Sequence, residues 1–429
     1  MRRLIPLFLT ALLSAFAAAP ASADAAKRAQ CLLRKSGPSC YLWTGKVTFI
    51  ADGDTVYVDI DGDGTRKRFP VRITGINAME QTTYTSRASA RRGECHAVEA
   101  TARLDQLLKA SKYKVRLYAQ DPASRSQKRL RRSVAVKVKG RWTDVGRVLM
   151  TEGHAIWLPN HREWAWNRDY SILQSRAQRA QLNLWDADYC GIGPSEGAQI
   201  RLLVNWDADG DDGLDPNGEW VRITNLDPVN PLPLGGWWLR DSALRRLVLP
   251  DYATVPPGGH ITIYDGIGDD TESEFYWGLK SAAFENVTRD ETAMGDGAYL
   301  FDPQGDLRMS QTYPCREACS DPNRGTVALT AKYRGREAVQ LTNTGPVPID
   351  LEPYKLVSKP YSYAFAPNSV VQPGETMRVR LWEADEDDRP LTRYWATNGP
   401  ILNNGGDKVE LRRFDDVLVT CAAWGSRSC

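Results

Sequence analysis

The chain carries the sequence Asp52-Gly53-Asp54-Thr55-Val56 and then the sequence Arg72-Ile73-Thr74-Gly75-Ile76-Asn77-Ala78-Met79-Glu80. The first stretch places two carboxylates in a turn, and the second places a glutamate eight residues after an arginine. Carboxylates bind divalent cations, a guanidinium can meet two phosphate oxygens at once, and a glutamate can accept a proton from water. These side chains are therefore the ones that metal-assisted hydrolysis of a phosphodiester would use.

Short strand patterns and helical patterns surround these two stretches. We expect strands over residues 43–51, 56–60, 68–76, 113–118 and 133–138, and helices over residues 94–110, 144–152 and 170–181. The sequence Asp61-Gly62-Asp63-Gly64 predicts a hairpin turn. Strands that close around helices predict a small α+β barrel of the oligonucleotide-binding (OB-fold) type.

Residues 44–186 resemble the staphylococcal nuclease (thermonuclease) domain. The resemblance rests on the two stretches quoted above and on four further ones: Glu99-Ala100, Arg131-Arg132-Ser133-Val134-Ala135, Gly153-His154-Ala155 and Ala180-Gln181-Leu182-Asn183-Leu184-Trp185. It implies an OB-fold nuclease-like domain over residues 44–190, preceded by a short segment over residues 24–43.

The resemblance also implies a Ca²⁺-dependent endonuclease site. Asp54 matches an aspartate that binds calcium, and Asn77 stands where the family has a second aspartate ligand. Arg72 and Arg132 match two arginines that bind the scissile phosphate, and Glu80 matches the residue that activates water. An amide oxygen can bind calcium but brings no charge, so we expect a weaker calcium affinity.

Two further residues are candidates for substrate binding. Arg131 lies in the basic run Lys128-Arg129-Leu130-Arg131-Arg132, and the choice of Arg132 over Arg131 as the phosphate ligand depends on the alignment of that run. Trp157 lies near the position where the family has a tyrosine on the substrate side. It is expected either to stack on a base or to pack at the edge of the core.

The second half of the chain repeats itself. The sequence Glu219-Trp220-Val221-Arg222-Ile223-Thr224-Asn225 recurs 118 residues later as Glu337-Ala338-Val339-Gln340-Leu341-Thr342-Asn343. Val255-Pro256-Pro257-Gly258 recurs as Val371-Gln372-Pro373-Gly374, and Gly295-Asp296 recurs as Gly406-Asp407. The repeats predict two all-β units over residues 196–314 and 326–429. They resemble lamin tail domains, which are Ig-like sandwiches, and this implies a role in binding or spacing.

A carboxylate-rich loop opens the first of these units. Asp207, Asp209 and Asp211 begin like a calcium-binding loop, but its twelfth position would be Gly218 where a glutamate is usual. We consider both a structural calcium site and a solvated acidic turn at this place.

The eight cysteines predict disulfides, because an even number of cysteines in an exported chain is typical of a disulfide framework. Proximity favours Cys31–Cys40, Cys315–Cys319 and Cys421–Cys429, which leaves Cys95–Cys190, although other connectivities are open. Four histidines and no paired C-x-x-C spacing disfavour a zinc site.

Residues 1–23 resemble a cleavable signal peptide, with Arg2-Arg3, an apolar run and Ala21-Ser22-Ala23. We therefore expect a secreted, monomeric protein without a membrane span. Residues 24–195 contain about 30 Lys and Arg against 17 Asp and Glu, whereas residues 196–429 contain about 23 against 36. The basic first half is expected to attract polyanions.

The sequence therefore predicts a secreted Ca²⁺-dependent nuclease that acts on DNA or RNA, with two C-terminal sandwiches. The alternative is a non-catalytic protein that binds nucleic acid or a cell surface through a degenerate nuclease barrel. In a third interpretation the sandwiches bind a cell-envelope polymer.

Overall fold

The structure is a computed structural model. It describes residues 26–31, 37–81, 93–191, 193, 195–209, 215–382 and 388–429. The predicted signal peptide over residues 1–23 lies outside these residues. Among the helices in the described part of the chain, none has the length and apolar character needed to cross a membrane.

A closed five-stranded barrel forms the first unit. The strands of this unit are β1 (Lys27–Gln30), β2 (Ser39–Ile50), β3 (Thr55–Ile60), β4 (Arg68–Ile73), β5 (Ile76–Asn77), β6 (Lys114–Ala119), β7 (Arg125–Ser126), β8 (Arg129–Val138), β9 (Arg141–Asp144) and β10 (Ile156–Trp157). The barrel order is β2-β3-β4-β8-β6, and β6 pairs back with β2. Alternate residues of β3, namely Val56, Val58 and Ile60, point into its core.

Three α-helices accompany the barrel: α1 (Ala97–Ala110), α2 (Val145–Thr151) and α3 (Asn167–Arg179). Short 3-10 helices cover Trp164–Trp166 and Asn183–Trp185. Helix α1 buries Leu104 and Leu108 against the barrel. Asp144 begins α2 by accepting a hydrogen bond from the backbone N–H of Arg147.

Two β-sandwiches with the same topology follow. The strands of the first are β11 (Ile200–Asn205), β12 (Trp220–Asn225), β13 (Leu232–Pro233), β14 (Trp238–Arg240), β15 (Arg246–Val248), β16 (Thr254–Val255), β17 (His260–Tyr264), β18 (Glu274–Tyr276), β19 (Asp296–Phe301) and β20 (Leu307–Tyr313). Its sheets have the orders β11-β12-β17-β18, β13-β16 and β15-β14-β19-β20. A 3-10 helix covers Pro216–Gly218.

The strands of the second sandwich are β21 (Val327–Lys332), β22 (Ala338–Asn343), β23 (Ile349–Asp350), β24 (Tyr354–Ser358), β25 (Tyr361–Ala364), β26 (Val370–Val371), β27 (Thr376–Leu381), β28 (Thr392–Trp395), β29 (Gly406–Arg413) and β30 (Leu418–Gly425). Its sheet orders repeat those of the first sandwich strand for strand, since they are β21-β22-β27-β28, β23-β26 and β25-β24-β29-β30. The internal repeat predicted from the sequence is therefore a structural repeat.

The repeated asparagines make equivalent hydrogen bonds in the two sandwiches. The side-chain amide of Asn225 donates to the carbonyl of Val255, and that of Asn343 donates to the carbonyl of Val371. The buried carboxylate of Glu337 accepts from the backbone N–H of Leu402. These groups satisfy backbone atoms of loops that would otherwise be buried without partners.

The three units pack against one another through apolar clusters. The barrel unit contributes Met79, Ile156 and Trp185 to a cluster with Trp238 and Phe301 of the first sandwich. A second cluster joins Leu203 and Trp220 of the first sandwich to Phe414 of the second.

Four disulfides are present: Cys31–Cys40, Cys95–Cys190, Cys315–Cys319 and Cys421–Cys429. Proximity in the sequence favours three of these pairs, and Cys95–Cys190 is the pair that then remains, so all four predicted pairs are confirmed. The prediction of a multidomain, mostly β protein with one small barrel and two sandwiches is also confirmed.

Candidate active site

A buried ion pair between Asp54 and Arg72 lies at the centre of the candidate site. Asp54 immediately precedes β3, and Arg72 lies opposite Thr55 on β4. Asp54 Oδ1 accepts hydrogen bonds from Arg72 Nη1 and from Thr55 Oγ1, and Asp54 Oδ2 accepts from the backbone N–H of Ala78 at 2.9 Å. Neither charged side chain is more than 2% exposed. The extra hydrogen bonds offset part of the cost of removing two charges from water.

Gly53 lets the turn that carries Asp54 approach its neighbours closely. A Cβ atom at Gly53 would lie 2.7 Å from the Cβ of Ala78 and 2.9 Å from the Cβ of Ala100 on α1. No side chain fits in that space, so the turn needs a glycine at this position.

Two further carboxylates, Asp52 and Glu80, lie beside the pair and are half-buried. Burial, and then the charge of Asp54, raise the pKa of Asp52 to about 7. Burial and Asp54 also raise the pKa of Glu80, while Arg72 lowers it. Asp54 therefore lies close enough to Asp52 and Glu80 to raise the pKa of both, as charged groups in functional sites often do.

The arginine that lies beside Arg72 is Arg131. Strand β8 runs parallel to β4, and Arg131 is the register partner of Arg72. The two positions share one face of the sheet. Burial is the main cause that lowers the pKa of Arg131, and the charge of Arg72 is the second. Arg129, two residues earlier on the same face, donates a hydrogen bond of 3.1 Å to Thr55 Oγ1.

Arg132 is not brought to the Asp54 cluster. Its guanidinium lies 4.6 Å from the centre of the Trp43 ring and donates hydrogen bonds to the carbonyls of Pro122 (2.7 Å) and Ser124 (3.2 Å). Burial lowers its pKa to about 10. Successive side chains of a strand point to opposite faces, so Arg131 takes the position beside Arg72 that the alignment gave to Arg132.

Asn77 connects the candidate site to the first sandwich. The side chain is fully buried, and its Nδ2 donates a hydrogen bond of 2.9 Å to the backbone carbonyl of Ser242. Its Oδ1 is buried as well and has no hydrogen-bond partner among the residues that the structure describes. The orientation of the amide therefore leaves an oxygen unsatisfied inside the site.

The donor set fits Ca²⁺ in its chemistry. Asp54 supplies a carboxylate, and Asn77 supplies an amide oxygen that has no other partner. Calcium takes such oxygen ligands in flexible geometries. In the described part of the chain, no three His, Cys, Asp or Glu side chains are grouped so that they could hold a metal ion.

The predicted stacking role of Trp157 is wrong for this structure. Trp157 is fully buried in the barrel core, and its backbone N–H donates to Gln174 Oε1 at 2.6 Å. A ring without an exposed face cannot stack on a base, so the core interpretation holds.

The predicted calcium loop of the first sandwich contacts the second sandwich instead. Asp207 Oδ2 lies 3.0 Å from Lys359 Nζ, and Asp209 accepts hydrogen bonds from the backbone of Ser362 and from Trp395 Nε1. These carboxylates thus bind protein groups, which corrects the calcium prediction for Asp207 and Asp209. Asp211 lies outside the described residues.

No motif in the sequence points to a function for Glu94 or Arg246. Glu94 Oε2 accepts a hydrogen bond of 2.8 Å from the backbone N–H of Glu80, and Glu94 Oε1 lies 3.1 Å from Arg246 Nη1. The Arg246 guanidinium stacks on the ring of Trp238 at 3.9 Å. Glu94 looked like the start of a helix, and Arg246 belongs to another domain, so only the fold brings them to Glu80.

Comparison with known families identifies the sandwiches. The lamin tail domain model matches residues 202–314 and residues 317–426, which correspond to the two sandwiches. A search of curated proteins finds no match to the chain.

Proposed function

The chain belongs to the lamin tail domain family, and we propose that the barrel in front of its two sandwiches makes it a secreted nuclease of the Ca²⁺-dependent, staphylococcal type. In this proposal the barrel is a nuclease-like OB-fold that hydrolyses phosphodiester bonds of DNA or RNA. The two sandwiches serve as binding domains or as spacer domains, and the protein acts as a monomer.

The observation that carries the proposal is the buried Asp54–Arg72 pair with Glu80 beside it. An ordinary structural ion pair would not need further carboxylates at its side, because each added negative charge opposes the others. Here Asp52 and Glu80 remain half-exposed, on the side of the cluster that solvent reaches. This arrangement fits a site that meets a ligand.

Each residue has a role that its position permits. Glu80 accepts a proton from the attacking water, and a pKa raised above that of an ordinary glutamate makes it a stronger base. Arg72 and Arg131 stabilise the negative charge that develops on the phosphate. Ca²⁺, held by Asp54 and Asn77, would add a positive charge at the same place.

The charge of the barrel unit supports a polyanionic substrate. Residues 24–195 carry an excess of about 13 positive charges, and Arg129 and Arg131 on β8 are half-exposed beside the site. Basic surfaces of this kind bind nucleic acid through its phosphates. The four disulfides fit an oxidising environment such as the cell exterior.

A second candidate function is binding of nucleic acid or a cell surface without catalysis. The observation in its favour is Asn77, which replaces a charged ligand and is used to hold the first sandwich. A related proposal is that the sandwiches bind a cell-envelope polymer.

A cleavage assay separates these proposals. We expect the mature protein to cut plasmid or single-stranded DNA, or RNA, in Ca²⁺ and not in chelator. Glu80→Gln should abolish cutting while salt-sensitive binding persists, and Glu99→Gln, which changes an exposed glutamate on α1, should cut normally. Binding without Ca²⁺-dependent cutting at any protein concentration would refute the nuclease and leave the second candidate.

A further inference from the structure

One sheet of the first sandwich turns its outer face to the barrel unit. On β14 the side chain of Leu239 points into the sandwich core, whereas Trp238 and Arg240 point the other way and are buried. Trp238 stacks on Phe301 of β19 at 3.9 Å, and Tyr299 OH receives a hydrogen bond of 3.1 Å from Gln174 of α3. The face is therefore a domain interface, and it lies next to the candidate site.

We propose that the first sandwich contributes to the nuclease site. Its Arg246 is a positioning residue that holds Glu80 in place through Glu94. This inference rests on the proposed function of the barrel. It assigns to the lamin tail domain a role beyond binding or spacing.

Glu94 holds the backbone of Glu80 from both sides. Its carboxylate accepts from the N–H of Glu80 at 2.8 Å, and its own N–H donates to the carbonyl of Glu80 at 2.8 Å. The second oxygen of the carboxylate meets Arg246 Nη1 at 3.1 Å. The position of Glu80 thus depends on Glu94, and that of Glu94 depends on Arg246.

Arg246 is itself fixed by the sandwich. Its guanidinium lies 3.9 Å above Trp238, which stacks on Phe301, so two rings of the sheet define where the charge lies. The Glu94 side chain is only 6% exposed. A buried carboxylate that loses its cationic partner is costly, so without Arg246 we expect Glu94 to move towards water and to release Glu80.

A second contact holds the other end of the same segment. Asn77, three residues before Glu80, donates to the carbonyl of Ser242. The segment that carries the proposed base is therefore attached to the sandwich at both ends. Displacements of about 1 Å in such a segment can cost about 100-fold in rate.

Docking of the domains does not depend on Arg246 alone. The apolar cluster around Trp238 and the contact of Arg176 on α3 with Glu317, with Nε 2.9 Å from Oε1, also join the barrel unit to the part of the chain that follows it. Arg176→Met removes a charge pair that involves neither Glu80 nor Glu94 nor Arg246, and it is therefore a matched control.

The test measures kcat and KM for DNA cleavage in Ca²⁺ with the full-length mature protein. We expect Arg246→Met to lower kcat about 10- to 100-fold and to change KM little, because the base is misplaced while the phosphate ligands remain. Arg246→Lys should recover part of kcat, and Arg176→Met should match the wild type. Thermal unfolding checks that each variant is folded.

Glu94→Gln is a second variant, in case Arg246→Met does not fold. It keeps an oxygen for the N–H of Glu80 and loses the charge that Arg246 meets, so kcat should fall in the same direction. Normal kcat in both variants, or loss in Arg246→Met without recovery in Arg246→Lys, would overturn the inference and leave the nuclease intact. A wild-type protein that does not cut would overturn the proposed function and this inference with it.

Discussion

The side-chain amide of Asn77 donates a hydrogen bond of 2.9 Å to the backbone carbonyl of Ser242 and so ties the candidate site to the first sandwich. The two residues are 165 positions apart, and the bond is buried. An aspartate could not make it, since a carboxylate has no hydrogen to donate. Asn77 thus provides a contact between the domains, whereas an aspartate at this position would provide a charged calcium ligand.

We predict that Asn77→Asp destabilises the protein in chelator and strengthens its response to Ca²⁺. The new carboxylate would face the carbonyl of Ser242 without a donor, at a cost of about 1–3 kcal/mol. In Ca²⁺ the added charge should bind the ion more tightly and restore part of the loss. Thermal unfolding with and without Ca²⁺ measures both effects.

Asn77→Ala is the control for this change. It removes the amide without adding charge, so it should lower the unfolding temperature and leave the response to Ca²⁺ weak. Equal stability of Asn77→Asp and wild type in chelator would contradict the role given to the bond with Ser242.

The Asp54–Arg72 pair predicts strong coupling between two substitutions. Arg72→Met leaves the charge of Asp54 buried and unpaired, and should cost about 3–5 kcal/mol. Asp54→Asn should also destabilise the protein, because it leaves the charge of Arg72 unpaired. The double variant should lose less than the sum of the two single variants, because it leaves no unpaired charge. Urea unfolding of the four proteins measures the coupling, and additivity within about 0.5 kcal/mol would show that the pair is not buried as described.

Local patterns in the sequence predict the elements of this fold well. Val56, Val58 and Ile60 alternate with more polar positions, and the barrel places them inside. Helix α2 begins after Asp144, as the capping residue predicts. Three of the disulfides follow from proximity, since short sequence separations make loop closure easy, and Cys95–Cys190 joins the two cysteines that remain. Apart from Cys95–Cys190, each of these features depends on residues that are near in the chain or on a regular period.

The site is harder to predict because it depends on register and on docking. The choice between Arg131 and Arg132 requires the pairing of β8 with β4, and a shift of one residue reverses the face of the sheet. Arg246 and Ser242 reach the site only because one sandwich packs on the barrel. Asp209 resembled a calcium ligand in sequence, but it bonds to Trp395, 186 residues away.

The buried histidine pair predicts a loss of stability in mild acid. His96 Nε2 and His154 Nδ1 are 2.9 Å apart, with the ring of Tyr189 against His96 and the carboxylate of Glu152 3.8 Å from His154 Nε2. Burial, and then His154, lower the pKa of His96 to about 4, and burial lowers the pKa of His154 as well.

The direction in which the free energy of unfolding changes with pH follows from proton binding. Between about pH 6.5 and pH 4 the unfolded chain takes up a proton at His96 and the folded protein does not, so the free energy of unfolding falls as the pH falls, by an amount on the order of 2–3 kcal/mol. His96→Asn should flatten this dependence, because asparagine does not take up a proton in this pH range. Asparagine also tolerates the left-handed backbone at this position (φ 70°), so the variant should fold. Urea unfolding from pH 7.5 to pH 5 tests this, and identical slopes for the two proteins would contradict it.

Adjacent arginines on β8 should have opposite phenotypes. Arg131 lies beside Arg72 and is half-exposed, so Arg131→Met should lower kcat/KM for DNA about 100-fold, typical of the loss of one preorganised group, and leave the unfolding temperature nearly unchanged.

Arg132 donates to the carbonyls of Pro122 and Ser124 and covers the ring of Trp43, so Arg132→Met should cost about 2–4 kcal/mol of stability. The molecules that remain folded should cut at a rate near that of the wild type. Denaturant unfolding and steady-state cleavage on the same preparations give both quantities. A stable but inactive Arg132→Met would mean that the alignment chose the correct arginine and that the register of β8 against β4 differs in the active protein.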